Sequence, residues 1–331
     1  MQQFKKQDES PQQRIDIKAL LIFLFVVAII GAVLYKFIKY LYYTFTGKRV
    51  LNEEDLIKYL ESVLDYYEPD DVFDKVLEKG KLIKEALSKK FWYAILGKVR
   101  YQGSFDHGTS LNGYSDLDIL IQFKTDSYKN EKDMYYTVYN YLKDKYSNSN
   151  VIVRKQRVSI GLMYNINGKK EKIDIVPARR TDYVKGKNEY YLHENYKLSK
   201  NNEKLKIYPH IQRDFGEYPY EIIKIITLLK LLVKTQKQEL PLKSILINEF
   251  VKKAFQELKM PNKLNLQIIK VIEFIQSNII KAKIYAPDNR NNCLTDMLTY
   301  PQKKQVKVVL NDILNDLKED KNNWIEYFPK E

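Results

Sequence analysis

Between Ala19 and Tyr35 the chain reads ALLIFLFVVAIIGAVLY, 17 consecutive residues without a charge. A run that is apolar all round predicts a helix with no polar face. At 1.5 Å per residue it covers about 26 Å. The following KFIKYLYYTF extends it, with Lys36 and Lys39 placed to snorkel and Tyr35, Tyr40, Tyr42 and Tyr43 suited to headgroup depth. A single transmembrane anchor over residues 19–45 is therefore expected, after a short tail at 1–18. No A-x-A pattern follows that would mark a cleaved signal peptide. Lys5, Lys6, Arg14 and Lys18 on one side balance Lys36, Lys39, Lys48 and Arg49 on the other, so flanking charge does not orient the span.

Beyond this run the pattern changes. Leu56, Ile57, Leu60, Val63 and Leu64 recur at helical spacing, as do Val72, Val76, Leu82, Ile83 and Leu87, and Glu68-Pro69-Asp70-Asp71 separates the two helices. Residues 117–125 (LDILIQFKT) and 151–178 are rich in β-branched residues. Within the second stretch Asn165-Ile166-Asn167-Gly168 predicts a hairpin turn. From Pro219 the pattern is helical again, with an apolar run from Ile222 to Val233, and further helices are expected at 264–281 and at 302–318, the latter opened by Pro301. The order is anchor, helices, a mixed α/β segment and a helical lobe, with no internal repeat.

Composition removes several chemistries. One cysteine (Cys293) and three histidines (His107, His193, His210) in 331 residues allow no disulfide within the chain and no zinc finger or ribbon. The histidines are expected to be structural or on the surface. Metal chemistry must then rest on carboxylates, which suit hard ions such as magnesium. The net charge is +14, from 56 Lys and Arg against 42 Asp and Glu. The excess is nearly all lysine, a point charge suited to phosphates, and is compatible with nucleic acid, an anionic membrane surface or nucleotide phosphates.

The chemistry concentrates in Gly103-Ser104-Phe105-Asp106-His107-Gly108-Thr109 and the Ser115-Asp116-Leu117-Asp118-Ile119-Leu120-Ile121 that follows. Asp116 and Asp118 are two apart at the entry to an apolar strand, so both carboxylates project to one face. Neighbouring carboxylates repel and raise each other's pKa unless a cation intervenes, which suits divalent metal binding. Gly103-Ser104 can open a tight turn whose N–H groups and hydroxyl cradle phosphate oxygens. Asp174 in Lys172-Ile173-Asp174-Ile175-Val176-Pro177-Ala178 alternates with isoleucines and is the candidate third carboxylate.

GSFDHGTS…SDLDILI with a downstream IDIVPA resembles the nucleotidyltransferase superfamily. It is most similar to its cGAS/oligoadenylate-synthase-like branch, which includes the bacterial CD-NTases, synthases of cyclic oligonucleotides. Leu229-Lys230 resembles the family's helix with a phosphate-contacting lysine, and Leu242-Lys243-Ser244 the lysine–serine segment after it. Two departures stand out. Asp106 occupies a loop position that is often basic, and Glu249 falls one place later than the family's acidic residue.

The resemblance implies an α+β fold. Its parts would be a polymerase-β-like palm with a helical spine (46–185) and a C-terminal helical lobe (186–331), here preceded by the anchor. It also implies an enzyme, a metal-dependent nucleotidyltransferase. Asp116, Asp118 and Asp174 would be its catalytic, metal-binding residues, with Gly103, Ser104, Lys230 and Ser244 holding nucleotide, and Mg²⁺ or Mn²⁺ as cofactor. NTPs, ATP among them, would be joined into a cyclic or short linear second messenger of anti-phage defence. The anchor adds the expectation of a cell-membrane protein, single-pass with its catalytic part cytoplasmic, and of a membrane effector as partner. The alternatives are a nucleic-acid-activated synthase of the animal type and a non-catalytic membrane receptor for nucleotides.

Overall fold

The computed structural model describes residues 17–46, 51–181, 189–195, 205–209, 218–236, 240–287 and 289–330. The tail at 1–16, Lys48, Arg49 and His210 lie outside the described residues. The chain divides into two units, Met1–Leu51 and Asn52–Glu331.

The first unit contains the helix α1 (Ile17–Thr46). Its expected role as an anchor is corrected. Among the described residues no helix is long and apolar enough to cross a membrane. The physical shortfall is visible in the run itself, because about 26 Å of uninterrupted apolar helix is less than a hydrocarbon core of ~30 Å. Any further reach depended on a stretch that contains Lys36 and Lys39. The membrane location, the single-pass topology and the cytoplasmic placement drawn from the anchor are withdrawn with it. The membrane effector loses its only support.

The second unit opens with two capped helices. Asn52 accepts from the Asp55 N–H at 2.9 Å and starts α2 (Glu53–Tyr66). Asp70 accepts from the Val72 and Phe73 N–H groups and starts α3 (Asp71–Phe91). Side-chain acceptors at these positions satisfy first-turn donors that no carbonyl reaches. Strands β1 (Arg100–Gln102), β2 (Leu117–Phe123), β3 (Ile152–Lys155), β4 (Ile160–Ile166) and β5 (Lys169–Arg180) form a mixed sheet in the order β1-β2-β5-β4-β3. The strands β6 (Tyr190–Leu192) and β7 (Lys206–Ile207) continue from β5. Only β2 and β5 run parallel among these pairs. The β4–β5 hairpin turns at Asn167 (φ 53°) and Gly168 (φ 82°), the two successive left-handed residues that a tight hairpin requires.

One sheet face is dry. Leu117, Ile119, Ile121 and Phe123 of β2 are fully buried, together with Ile160, Leu162, Ile173 and Ile175 of its neighbours. They pack against Val76, Ile83 and Leu87 of α3 and Met134, Val138 and Leu142 of α4 (Glu131–Lys145). The period of two along β2 and β5 therefore turns the residues between them to the other face.

The second core is the helical lobe: α5 (Tyr220–Thr235), α6 (Ser244–Glu257), α7 (Leu264–Asn278) and α8 (Tyr300–Glu319), closed by α9 (Asn323–Tyr327). A two-stranded ribbon, β8 (Tyr285–Ala286) and β9 (Asn289–Cys293), leads into α8, which starts with a capping box between Thr299 and Gln302. Leu56, Leu60 and Val63 of α2 belong to this core and not to that of the sheet. The Tyr59 and Tyr67 hydroxyls donate to the carbonyls of Phe328 (2.7 Å) and Pro329 (3.0 Å), tying the two ends of the unit together.

Candidate active site

The geometry starts from the register of β2 against β5. Asp118 is directly opposite Asp174, with Ile119 opposite Ile175, and on its other side Asp118 is opposite Gln102 of β1. Burial of Leu117 and Ile119 in one face and of Ile173 and Ile175 beside them forces both aspartates to the other face. Asp116 sits at the mouth of β2, exposed, with its Oδ1 3.7 Å from Lys172 Nζ. Asp118 and Asp174 thus come from two adjacent parallel strands, with Asp116 just before the first of them.

Their electrostatics follow from that closeness. Asp118 is pushed up to about 7, first by burial, then by Asp174 and Asp116, against the opposing pull of Lys230. Asp174 is also raised, by burial and by Asp116. Gln156 Nε2 donates to its Oδ1 at 2.9 Å and Ser159 Oγ to its Oδ2 at 3.1 Å, and both bonds offset part of that rise. Room for Gln156 comes from Gly161, the register partner of Asp174, where a Cβ would collide with the Gln156 amide. The set is all oxygen and deficient in positive charge, which matches a hard divalent cation. Among the described residues no group of three or more His, Cys, Asp or Glu closes around a point as a metal cage. The donor chemistry fits such an ion, while in the present arrangement Asp174 is engaged by Gln156 and Ser159 and Asp116 lies nearest Lys172.

The loop before β2 wraps the same place. Gly103 has φ +72°, and a Cβ there would sit on the Asp118 carboxylate, so only glycine lets this backbone approach Asp118 so closely. The Thr109 N–H bonds the Ser104 carbonyl at 2.9 Å and the Ser110 hydroxyl donates to Ser104 Oγ at 3.3 Å, which shapes the turn. Asp106, the departure from the family pattern, is exposed and does not line the main cavity.

Lys230 projects from α5 and is 5% exposed. Its Nζ donates to Thr109 Oγ1 at 2.7 Å and to the Thr109 carbonyl at 3.1 Å. Burial lowers its pKa to about 8, against the favourable charge of Asp118. Ser244 is the exposed first residue of α6, whose N-terminus carries no side-chain cap, an arrangement that favours anions.

Gly103, Ser104, Asp116, Asp118, Lys230 and Ser244 line one cavity of about 390 Å³. Asp174 does not line it and stands next to it, beside Asp118. The cavity also takes His107, Tyr114, Tyr218, Asn248 and Glu249, none of which the motifs single out as site residues. Of 27 tyrosines the sequence offers no way to choose these two. Thr109 was legible as part of the loop motif, but its bond to a lysine 121 residues away was not. Glu249, one place late against the family spacing, still faces the cavity and holds Lys252 at 2.8 Å. His193 packs instead on the rings of Tyr135 and Tyr136.

No protein-family model and no curated protein matches the sequence significantly. Solved structures do match in fold. Escherichia coli MS115-1 CdnC with ATP superposes with a TM-score of 0.64 at 16% identity, over 85% of this chain and 97% of that one. Bradyrhizobium diazoefficiens CdnG, a CD-NTase in complex with GTP, gives 0.62 at 13% identity over 85% and 94%. The Vibrio cholerae cyclic AMP–GMP synthase DncV, in complex with a linear intermediate, gives 0.55 at 15% identity over 83% and 87%. The chain has the CD-NTase fold. At such identities the likeness is one of architecture, and it agrees with the α+β reading of the palm and helical lobe.

Proposed function

We propose that this chain is a nucleotidyltransferase that joins NTPs into a cyclic or short linear oligonucleotide messenger, with anti-phage signalling as its setting. The observation that carries the reading is the convergence of the Gly103-Ser104 turn, Asp116, Asp118, Lys230 and Ser244 on one cavity. These residues come from three separate parts of the chain. The fold likeness to proteins solved with ATP, with GTP and with a linear dinucleotide intermediate supports the same reading.

Asp116, Asp118 and Asp174 would hold Mg²⁺ or Mn²⁺. Such an ion supplies charge neutralisation of the triphosphate and a lower pKa for the attacking ribose hydroxyl. The Gly103 backbone and the Ser104 and Ser244 hydroxyls would hold phosphate oxygens, and Lys230 would turn from Thr109 to the departing pyrophosphate. An anion arriving beside this buried lysine would raise its lowered pKa and hold it in the charged form. Gln156 and Ser159 would hold Asp174 in its ionised, oriented form.

The test incubates the protein with all four labelled NTPs and Mg²⁺ and identifies products by mass spectrometry. Asp116→Asn and Asp118→Asn should each abolish product while circular dichroism shows an intact fold. Undiminished turnover in either variant would remove the site assignment, and ATP binding without pyrophosphate release in the wild type would remove the enzymatic reading.

A further inference from the structure

Asn248 lies on α6 one turn beyond Ser244, on the same helix face. It lines the main cavity and is 7% exposed. Its Oδ1 is buried without a hydrogen-bond partner. An unsatisfied buried acceptor costs about 1–3 kcal/mol in general, and its placement on a cavity wall points to a ligand that supplies the missing donor.

The cavity has two kinds of lining. One is the set of carboxylates, hydroxyls and Lys230 described above. The other includes Tyr114, Tyr218, Ile245 and Pro287, and Ile245 stands three positions before Asn248 on α6. Tyr218 is braced as a wall: His107 meets it edge-on at 6.1 Å, Lys252 Nζ lies 5.5 Å from its ring centre, and Glu249 holds Lys252 in turn. Flat aromatic and apolar surfaces offer contact to the face of a nucleobase, and a single amide offers a reading group for its edge.

We infer that Asn248 reads the base of the bound nucleotide and selects adenine over guanine, an inference that rests on the cavity being the NTP site. An amide presents one acceptor and one donor side by side, and this fork matches the N6 amino group and N7 of adenine. Guanine shows O6 and N7 at the same edge, both acceptors, so against that edge Asn248 Oδ1 stays buried and unpaired.

The experiment measures binding of ATP and of GTP to the full chain by calorimetry, for wild type, Asn248→Ala and Asn248→Asp. Melting temperatures without nucleotide report the fold of each variant, and Asn248→Asp preserves side-chain shape. The wild type should prefer ATP by on the order of tenfold. Asn248→Ala should lose that preference through weaker ATP binding. Asn248→Asp, which accepts but does not donate, should lose ATP affinity and gain none for GTP. Equal weakening of both nucleotides, unchanged ATP affinity, or a wild-type preference for GTP would overturn the role of Asn248 and leave the nucleotide site standing. A wild type that binds neither nucleotide would overturn the nucleotide reading and Asn248 with it.

Discussion

The close approach of Gly103 to Asp118 can be separated from its backbone conformation by a matched pair of substitutions. Gly103 (φ +72°) and Gly97 (φ +69°) share the left-handed region, but a Cβ at Gly97 meets nothing within 4 Å, whereas at Gly103 it meets the Asp118 carboxylate. An L-residue in that region costs about 1–2 kcal/mol. Gly97→Ala should therefore lower the melting temperature by about 2–4 °C, at about 2 °C per kcal/mol for a unit of this size. Gly103→Ala carries the same strain and must also push the carboxylate aside. The atom first met is the tip of the side chain, so rotation relieves the clash for about 1 kcal/mol more. The consequence for chemistry is larger, because a misplacement of about 1 Å costs on the order of 100-fold in rate. Differential scanning fluorimetry and an NTP-turnover assay on both variants give the comparison. Gly97→Ala should keep activity, and Gly103→Ala should lose about two orders of magnitude with similar melting. Equal activities in the two variants would refute the argument that Gly103 exists to admit Asp118.

Asp118 makes a prediction in the absence of metal. A carboxyl held at about 7 against an ordinary 3.8 keeps its proton in the folded state after the unfolded chain has lost it. Between about pH 4 and 7 the folded state binds more protons, so this group's contribution to stability falls as pH rises, by about 4 kcal/mol at most. In EDTA the wild type should melt lower at pH 8 than at pH 5, and Asp118→Asn should flatten that slope; a variant less stable than wild type at pH 8 would contradict it. Gln156→Leu removes a bond that offsets the raised pKa of Asp174, so the acidic limb of the pH–rate profile should move to higher pH, and an unmoved limb would deny Gln156 that role. Lys230→Met should weaken ATP binding while Thr109→Val, which removes the hydroxyl but not the carbonyl that Lys230 bonds in the free protein, should affect it far less; equal losses would make the Lys230–Thr109 contact structural.

Local pattern carried much of the architecture. The helices on either side of Glu68-Pro69, the β2 strand, the Asn167-Gly168 hairpin and the helices after Pro219 and Pro301 all depend on signals within a few residues: period, caps and turn residues. Three helices escaped that reading: α4, α6 and the short α9 (Asn323–Tyr327). In α4 the sequence EKDMYYTVYNYLKDK mixes tyrosines into every face, so Met134, Tyr135, Val138 and Leu142 do not stand out as a buried stripe. In α6 the weight falls on Ser244 and Lys243 as motif residues, and the helix that carries Asn248 goes unnoticed.

The apolar run at Ala19–Tyr35 shows the opposite failure. It predicts a helix correctly, but hydropathy alone does not say what a helix is for, and no described helix meets the length and apolarity of a span.

The sequence by itself determined the carboxylate chemistry. With one cysteine no thiolate metal set was available, the Asp-x-Asp motif offered carboxylates, and alternation with buried residues put Asp118 and Asp174 on one sheet face. Only the tertiary structure decided which groups share the cavity. Parallel pairing of β2 with β5 sets Asp118 against Asp174, and packing of the helical lobe brings Lys230 to Thr109 and Asn248 to the same wall. The physical reason is separation along the chain: these partners lie from 56 residues (Asp118 to Asp174) to 121 residues apart. Contacts of that range follow from how whole elements bury their apolar faces, which no local period records.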